Sequence, residues 1–310
     1  MRAITTTEIE PSAGPIWRRV RRDRAAVAGL FFLAFIAMVA LSAPLIVNAV
    51  GAPEPEARDS GALSAFGTAT GPSSAHWFGV DSLGRDVFSR TLYGARVSLA
   101  VAFLASGITV ILGVAVGLIA GYRRGWLDAI VSRLIDVVLA IPYLLLALGL
   151  AASCSFGEGC AGGLIQPGIG VVTFVIAITS WTYIARIVRG ETLALREAEF
   201  VESARAAGAS HTAIVLREIL PNLAAPVIVY ASILVPQVIL FEAALSFLGV
   251  GVQAPTPSWG QMLSDGAATF DSAWWYMLFP GLAIVGTVLS LNLIGDALRD
   301  ALDPRQRLIR

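Results

Sequence analysis

The sequence predicts an all-α membrane protein that crosses the bilayer six times, with both termini in the cytoplasm. Three observations carry this. Of the 310 residues, 56% are hydrophobic and only 14% are charged, whereas a soluble domain usually carries about 25% charged residues. The apolar residues are gathered into six blocks, 25–47, 97–122, 134–152, 168–185, 223–241 and 273–295. Arginine, finally, is distributed very unevenly between alternate connecting segments.

Each block is long enough to cross. A helix rises about 1.5 Å per residue, so roughly 20 residues span the hydrocarbon layer. Five of the blocks contain no charged residue, and 134–152 contains only Asp136. Lipid cannot satisfy backbone N–H and C=O groups, so such segments must be helical, and without alternation of apolar and polar residues they are not barrel strands. The first block is too long for the apolar core of a cleaved leader, which needs 7–15 residues, and no small-residue cleavage site follows it before Pro44. It is read as a retained helix.

Orientation follows from arginine. With the N-terminus inside, the cytoplasmic segments hold Arg2, Arg18, Arg19, Arg21, Arg22, Arg24, Arg123, Arg124, Arg133, Arg186, Arg189, Arg196, Arg205, Arg217, Arg299, Arg305, Arg307 and Arg310. The external segments hold only Arg58, Arg85, Arg90 and Arg96. Eighteen against four is a strong positive-inside bias, and Trp274, Trp275 and Tyr276 suit the external interface of the last helix.

The organisation that results is a basic tail (1–24), a first helix (25–47) and an external segment (48–96). A five-helix core (97–298) containing a long cytoplasmic loop (188–222) and a short tail (299–310) complete it. Residues 51–74, rich in Gly, Pro, Ala and Ser, read as a loose loop. Residues 86–93 read as a short amphipathic helix on the outer membrane surface. Asp136 is expected to pair with Arg133 one turn away. Pro142, Pro226, Pro236 and Pro280 interrupt spans, which is common in membrane helices and identifies no particular hinge.

Several kinds of chemistry are excluded or left without support. Formal net charge is zero, so nothing favours a nucleic-acid partner. There is no lysine at all, which rules out a Gly-Lys-Ser/Thr phosphate loop and Schiff-base chemistry. Any nucleotide energy must come from another chain. Two Cys and two distant His, His76 and His211, cannot make an ordinary zinc set. Cys154 and Cys160 lie in an external turn where a disulfide is allowed; the sequence leaves open whether they are joined. A secondary carrier would need intramembrane charges for ion coupling, and only Asp136 and Glu242 are available, both near span ends. Neither His-Glu-x-x-His nor Gly-x-Ser-x-Gly occurs, which leaves an intramembrane enzyme without a motif.

The long cytoplasmic loop carries the functional argument. Residues 191–207 are rich in helix formers, and Gly208 suits a left-handed helix terminus. Ser210 suits the N-cap of a second helix, which Pro221 is expected to limit. Helix, glycine bend and helix make a compact element able to pass a push from one rigid body to another.

This loop, with Glu202-Ser203-Ala204, then Gly208, then Leu220-Pro221, resembles the coupling loop of ABC-importer permeases. Two positions depart from that pattern: Ser203 stands second in the usual Glu-Ala-Ala triplet, and Glu218 stands where Ile is common, with Ile219 beside it. Trp77-Phe78-Gly79, Gly84-Arg85-Asp86, Leu245-Ser246-Phe247-Leu248-Gly249 and Pro257-Ser258-Trp259-Gly260 are similar to dipeptide and oligopeptide permeases of the C type. The resemblance implies a type I importer permease of the cytoplasmic membrane, taking short peptides, or nickel or another small solute in related systems. It implies a second permease, ATP-binding subunits that hold ATP and Mg, an external substrate-binding protein and no cofactor in this chain. On this reading Glu199, Glu202, Ser203, Ala204, Arg205, Gly208, Ala209, Ile219, Leu220 and Pro221 couple to the ATPase. Glu242, Trp259 and Gln253 are candidates for the substrate path. Glu242 is alternatively a partner for Arg90 or Arg96 near the interface.

Overall fold

A computed structural model describes residues 17–18, 20–155, 159–160 and 162–302. Most of the two expected tails therefore lies outside the described residues, including Arg2, Arg19, Arg305, Arg307 and Arg310. Helix α1 (Arg24–Val50) starts at Asp23, whose carboxylate accepts from the Ala25 and Ala26 amides at 2.9 and 3.3 Å. That is the capping role short acidic side chains fill best. It ends at Gly51, whose φ of +71° closes the last turn.

Helix α2 (Val87–Arg123) runs unbroken for 37 residues from an Asp86 cap. Residues 86–93 are thus helical, but they are the first turns of this long helix and do not form a separate element on the membrane surface. The reason is that their polar groups find partners inside the protein. Ser89 donates to the Pro53 carbonyl at 2.7 Å and Arg90 to that of Pro55 at 3.3 Å. The Arg90 side chain is fully buried. The expected loose loop is correspondingly tied down, with Asp59 N–H bonded to the Gly84 carbonyl and Val80 N–H to that of Thr70.

The third expected span is split. Helix α3 (Trp126–Ala140) and helix α4 (Tyr143–Ser155) meet at 91°. The break has a local cause: Ile141 precedes Pro142, is pushed to an extended ψ of 132°, and cannot continue the helix. Asp136 pairs with Arg186 at 2.6 Å and not with Arg133, because helix α5 (Ile169–Arg196) lies alongside. The structure joins Cys154 to Cys160 between α4 and α5. In the chain-entropy picture so short a loop contributes about 2 kcal/mol. Alkylating the denatured protein without reductant should label neither cysteine; two labels per chain would contradict the pairing.

Helix α6 (Glu199–Ala206) and the turn α7 (His211–Ala213) form the hairpin within the 188–222 loop. A π-helical turn (Ile214–Ile219) joins α7 to α8 (Leu220–Phe247), so the chain is helical without interruption from His211 to Phe247. Pro221 therefore does not end the second helix as expected. It sits in the first turn of α8, and the wider π turn before it relieves the clash a proline ring makes with the preceding turn. Helices α9 (Trp259–Ala267) and α10 (Trp275–Leu302) complete the chain.

Five of these helical stretches are long and apolar enough to cross a membrane singly, and α3 with α4 makes a sixth if the bent pair is one span. Helices α2 and α5 pack nearly backbone to backbone. A Cβ added at Gly113 would lie 2.5 Å from Ile184, one at Gly117 2.5 Å from the Ala185 carbonyl, and one at Gly121 2.8 Å from that of Arg189. Small residues at every fourth position are how membrane helices approach closely without a hydrophobic driving force. Helix α10 closes against α1, where Gly29 meets Ser290 and Gly286 meets Phe32. The start of α1 and the end of α10 thus lie together, at the same end of the bundle as the hairpin.

Candidate functional site

The hairpin is built by a helix end, a bend and a buried hinge face. Helix α5 stops at Arg196, Ala198 turns extended, and α6 begins with Glu199 and Glu202 in its first turn and Arg205 in its last. That charge order complements the helix dipole at both ends. The bend after α6 is a Schellman motif. Gly208 takes φ +84°, its N–H donates to the Arg205 carbonyl, and the Ala209 N–H donates to that of Ala204, both at 3.0 Å. Ser210 then caps the next turn, accepting from the Ala213 amide at 3.3 Å.

One face of the hairpin is inside and the other is free. Val201, Ile214 and Ile219 are fully buried with Ile184, Val188 and Leu223, and Ala204 and Ala209 pack at the margin of the same cluster. Ile219 therefore belongs to the hairpin's own core, next to the half-buried Glu218. Glu199, Glu202, Ser203, Arg205, Gly208 and Pro221 are exposed, and Leu220 is half-buried. The structure thus brings the ten coupling residues expected from sequence into one small element, six of them on its outer face.

The element is tethered to the bundle. The Tyr122 hydroxyl and His211 Nδ1 are 2.8 Å apart, and Arg196 donates to the Tyr122 carbonyl at 2.6 Å. Arg124 pairs with Glu197 at 2.8 Å, and Arg189 pairs with Asp128 through two guanidinium nitrogens. The hairpin is thus continuous with α5 and α8 and hydrogen-bonded to the end of α2, while α5 is paired in turn with α3. The Arg189–Asp128 pair was not visible in the sequence, because 61 residues separate its members and nothing local links them.

The opposite end of the bundle holds Glu242 and Trp259. Glu242 is fully buried and accepts from Ser98 at 3.1 Å and from Ser246 at 2.8 Å. Ser98 also accepts from the Trp259 amide, and Ser246 from that of Val252. The buried Trp259 ring donates to the Thr91 carbonyl at 3.0 Å. These bonds fasten α9 and the loop before it to α2 and α8. Neither arginine expected near Glu242 reaches it: Arg90 lies by Asp81 and Asp265, and Arg96 over the Tyr93 ring. Gln253 lies apart and exposed, in an open groove formed with residues 164–170. The structure therefore does not bring the three path candidates together. Among the described residues, no three metal-ligating side chains converge.

The arrangement of Glu242 predicts a positioning role. Glu242→Gln keeps shape and an acceptor, so uptake of both charged and N-blocked peptides should be unchanged. Glu242→Ala strands two buried hydroxyls and should lower stability by ~1–3 kcal/mol, read as a lower Tm of the purified protein. A Glu242→Gln variant that loses uptake of one peptide class alone would instead place the carboxylate in the path.

Comparison with known proteins agrees with this architecture. Residues 113–308 match the binding-protein-dependent transport system inner membrane component family, and residues 14–60 match the N-terminal transmembrane domain of oligopeptide transport permease C. The chain is 40% identical over 291 residues to the dipeptide transport system permease protein DppC of Alkalihalophilus pseudofirmus, covering 94% of this chain and 89% of that one. It is 40% identical to DppC of Bacillus subtilis, covering 94% and 85%. It is 43% identical to the glutathione transport system permease protein GsiD of Escherichia coli O157:H7, covering 93% and 89%. Among solved structures, a chain of the inward-facing MetNI methionine ABC transporter shares the fold, with a TM-score of 0.55 at 21% identity, covering 68% of this chain and 94% of that one. On the family match and these relatives, the chain is a membrane-spanning permease belonging to the inner-membrane component family of binding-protein-dependent transport systems.

Proposed function

We propose that this chain is one of two permease subunits in an ATP-driven importer that brings short peptides across the cytoplasmic membrane. The observation that carries the proposal is the hairpin: a bend with a buried inner face, a free outer face, chain continuity with α5 and α8, and a hydrogen bond to α2. Relatives named for dipeptide and for glutathione transport support a substrate with peptide bonds. ATP and Mg are held by the partner ATPase subunits, because this chain lacks a lysine for a phosphate loop. Closure of those subunits carries Glu199–Ala206 with it, and the bundle changes the side to which its cavity opens. Differential affinity of ATP for the two states supplies the bias.

The experiment is recovery of the complex. The chain, tagged and purified gently from native membranes, should bring with it a second permease and ATP-binding subunits in fixed ratio. The recovered complex in vesicles should then take up dipeptide only with ATP and the external binding protein. Recovery of this chain alone, stable and monodisperse, would favour a stand-alone carrier. Recovery of the complex with uptake of nickel but no peptide would keep the architecture and change the substrate.

A further inference from the structure

Two features of the apolar part of the bundle lie apart from the hairpin. The first is the break between α3 and α4. It interrupts an apolar run whose only charged residue is Asp136, and Leu139, Ala140, Ile141, Pro142 and Tyr143 are all exposed on this chain. Non-helical backbone cannot face hydrocarbon, because its N–H and C=O groups would lack partners; it must face protein or a water-filled cavity. A recess of about 260 Å³ opens at the break, bounded by Val138–Tyr143, Leu146 and Thr179.

The second is Gln237, in the middle of α8. Its side chain is exposed and makes no hydrogen bond to any described residue. A carboxamide left bare in lipid costs several kcal/mol, so this face of α8 is not a lipid face. The two features are neighbours. Phe241, one helical turn from Gln237 and on the same side of α8, stacks on Tyr143 at 4.0 Å between ring centroids. The Tyr143 hydroxyl in turn lies 2.5 Å from Ser180 on α5.

We propose that the α3–α4 break and the Gln237 face of α8 form this chain's wall of the translocation path, where the Gln237 carboxamide hydrogen-bonds the backbone amides of a peptide in transit. The proposal rests on the peptide reading above for the identity of the ligand, but not for the position of the wall. The wall presents hydrogen-bonding groups and aromatic surface without an ionised side chain. Recognition there is of the peptide bond, which every substrate shares, and not of side-chain charge.

The test uses the complete transporter in membrane vesicles with its partner subunits and binding protein. Gln237→Cys should react with a water-soluble cationic thiol reagent, and dipeptide-loaded binding protein with ATP should slow that reaction. Val285→Cys, on an exposed and wholly apolar face of α10, serves as the reference for a water-inaccessible position and should stay inert. The native cysteines are joined to each other and do not compete. Gln237→Leu should reduce dipeptide uptake roughly two- to tenfold, the range expected for one lost hydrogen bond, and Gln237→Asn should retain more. Gln237→Cys as inert as the reference would overturn the wall, showing that lipid or the second permease covers this face. Wild-type uptake by Gln237→Leu would overturn the contact. Vesicles of the unaltered transporter that take up no dipeptide would remove the peptide ligand, while the labelling alone still decides the wall.

Discussion

Gly208→Val should abolish coupled uptake while leaving the protein folded and in the membrane. Gly208 holds φ +84°, a conformation that costs a β-branched residue ~1–3 kcal/mol. A Cβ there would touch nothing within 4 Å, so crowding plays no part and the effect is purely conformational. The strained residue is expected to leave the left-handed region, which breaks the two bonds from Gly208 and Ala209 that turn the chain back. The outer face of α6 is then re-aimed, and the partner's movement is no longer passed to α5 and α8. Uptake should fall at least tenfold, and ATP hydrolysis by the assembled complex should lose its stimulation by loaded binding protein. Gly208→Asn should retain most activity, because Asn tolerates the left-handed region. Near-normal uptake by the Val variant would show that the bend is not needed.

The largest effect on assembly is expected at Gly117. A Leu there would thrust its Cβ to 2.5 Å from the Ala185 carbonyl, with the Val188 side chain at 2.9 Å. Neither neighbour is the free end of a flexible side chain, so α2 and α5 must separate along their whole contact. Over-packing alone costs ~1–3 kcal/mol, and displacement of backbone raises it further. Gly117→Leu should therefore yield little monodisperse protein, and Gly117→Ala an intermediate amount. By contrast Gly107→Ala, on the same helix with nothing within 4 Å of the added Cβ, should be indistinguishable from the unaltered chain. Equal yields of the Gly117 and Gly107 variants would mean that the two helices are not held at this distance.

What the sequence made legible was set by local chemistry. Five of the six spans followed from apolar length, and the hairpin from Gly208 and Ser210, whose backbone roles depend on near neighbours. Where distant surroundings decide, local reading fails, as two elements show. Residues 86–93 read as amphipathic from the helical spacing of Val87, Arg90 and Leu92, but Arg90 is buried against the Pro55 carbonyl, Asp81 and Asp265, which lie outside that stretch. Pro221 looked like a terminator because the π turn before it leaves no composition signal. The Gly113, Gly117, Gly121 spacing was a readable sign of close helix packing that the span-by-span reading passed over. The path candidates fared differently. Glu242 drew notice as a charge in a span, whereas its serine partners on α2 and α8 reveal a fastening. Gln237 drew none, since one uncharged residue in an apolar run has no pattern; only its exposure beside a broken helix gives it meaning.

The central claim is that the outer face of α6 docks on an ATP-binding subunit. Ser203 is exposed on that face and makes no side-chain hydrogen bond to any described residue, so Ser203→Cys carrying a photoactivatable thiol label is the direct probe. In the complete transporter, irradiation should join this chain to an ATP-binding subunit, with a yield that changes when ATP is supplied. A label that stays reactive to solvent and forms no cross-link in a transport-competent complex would contradict the account.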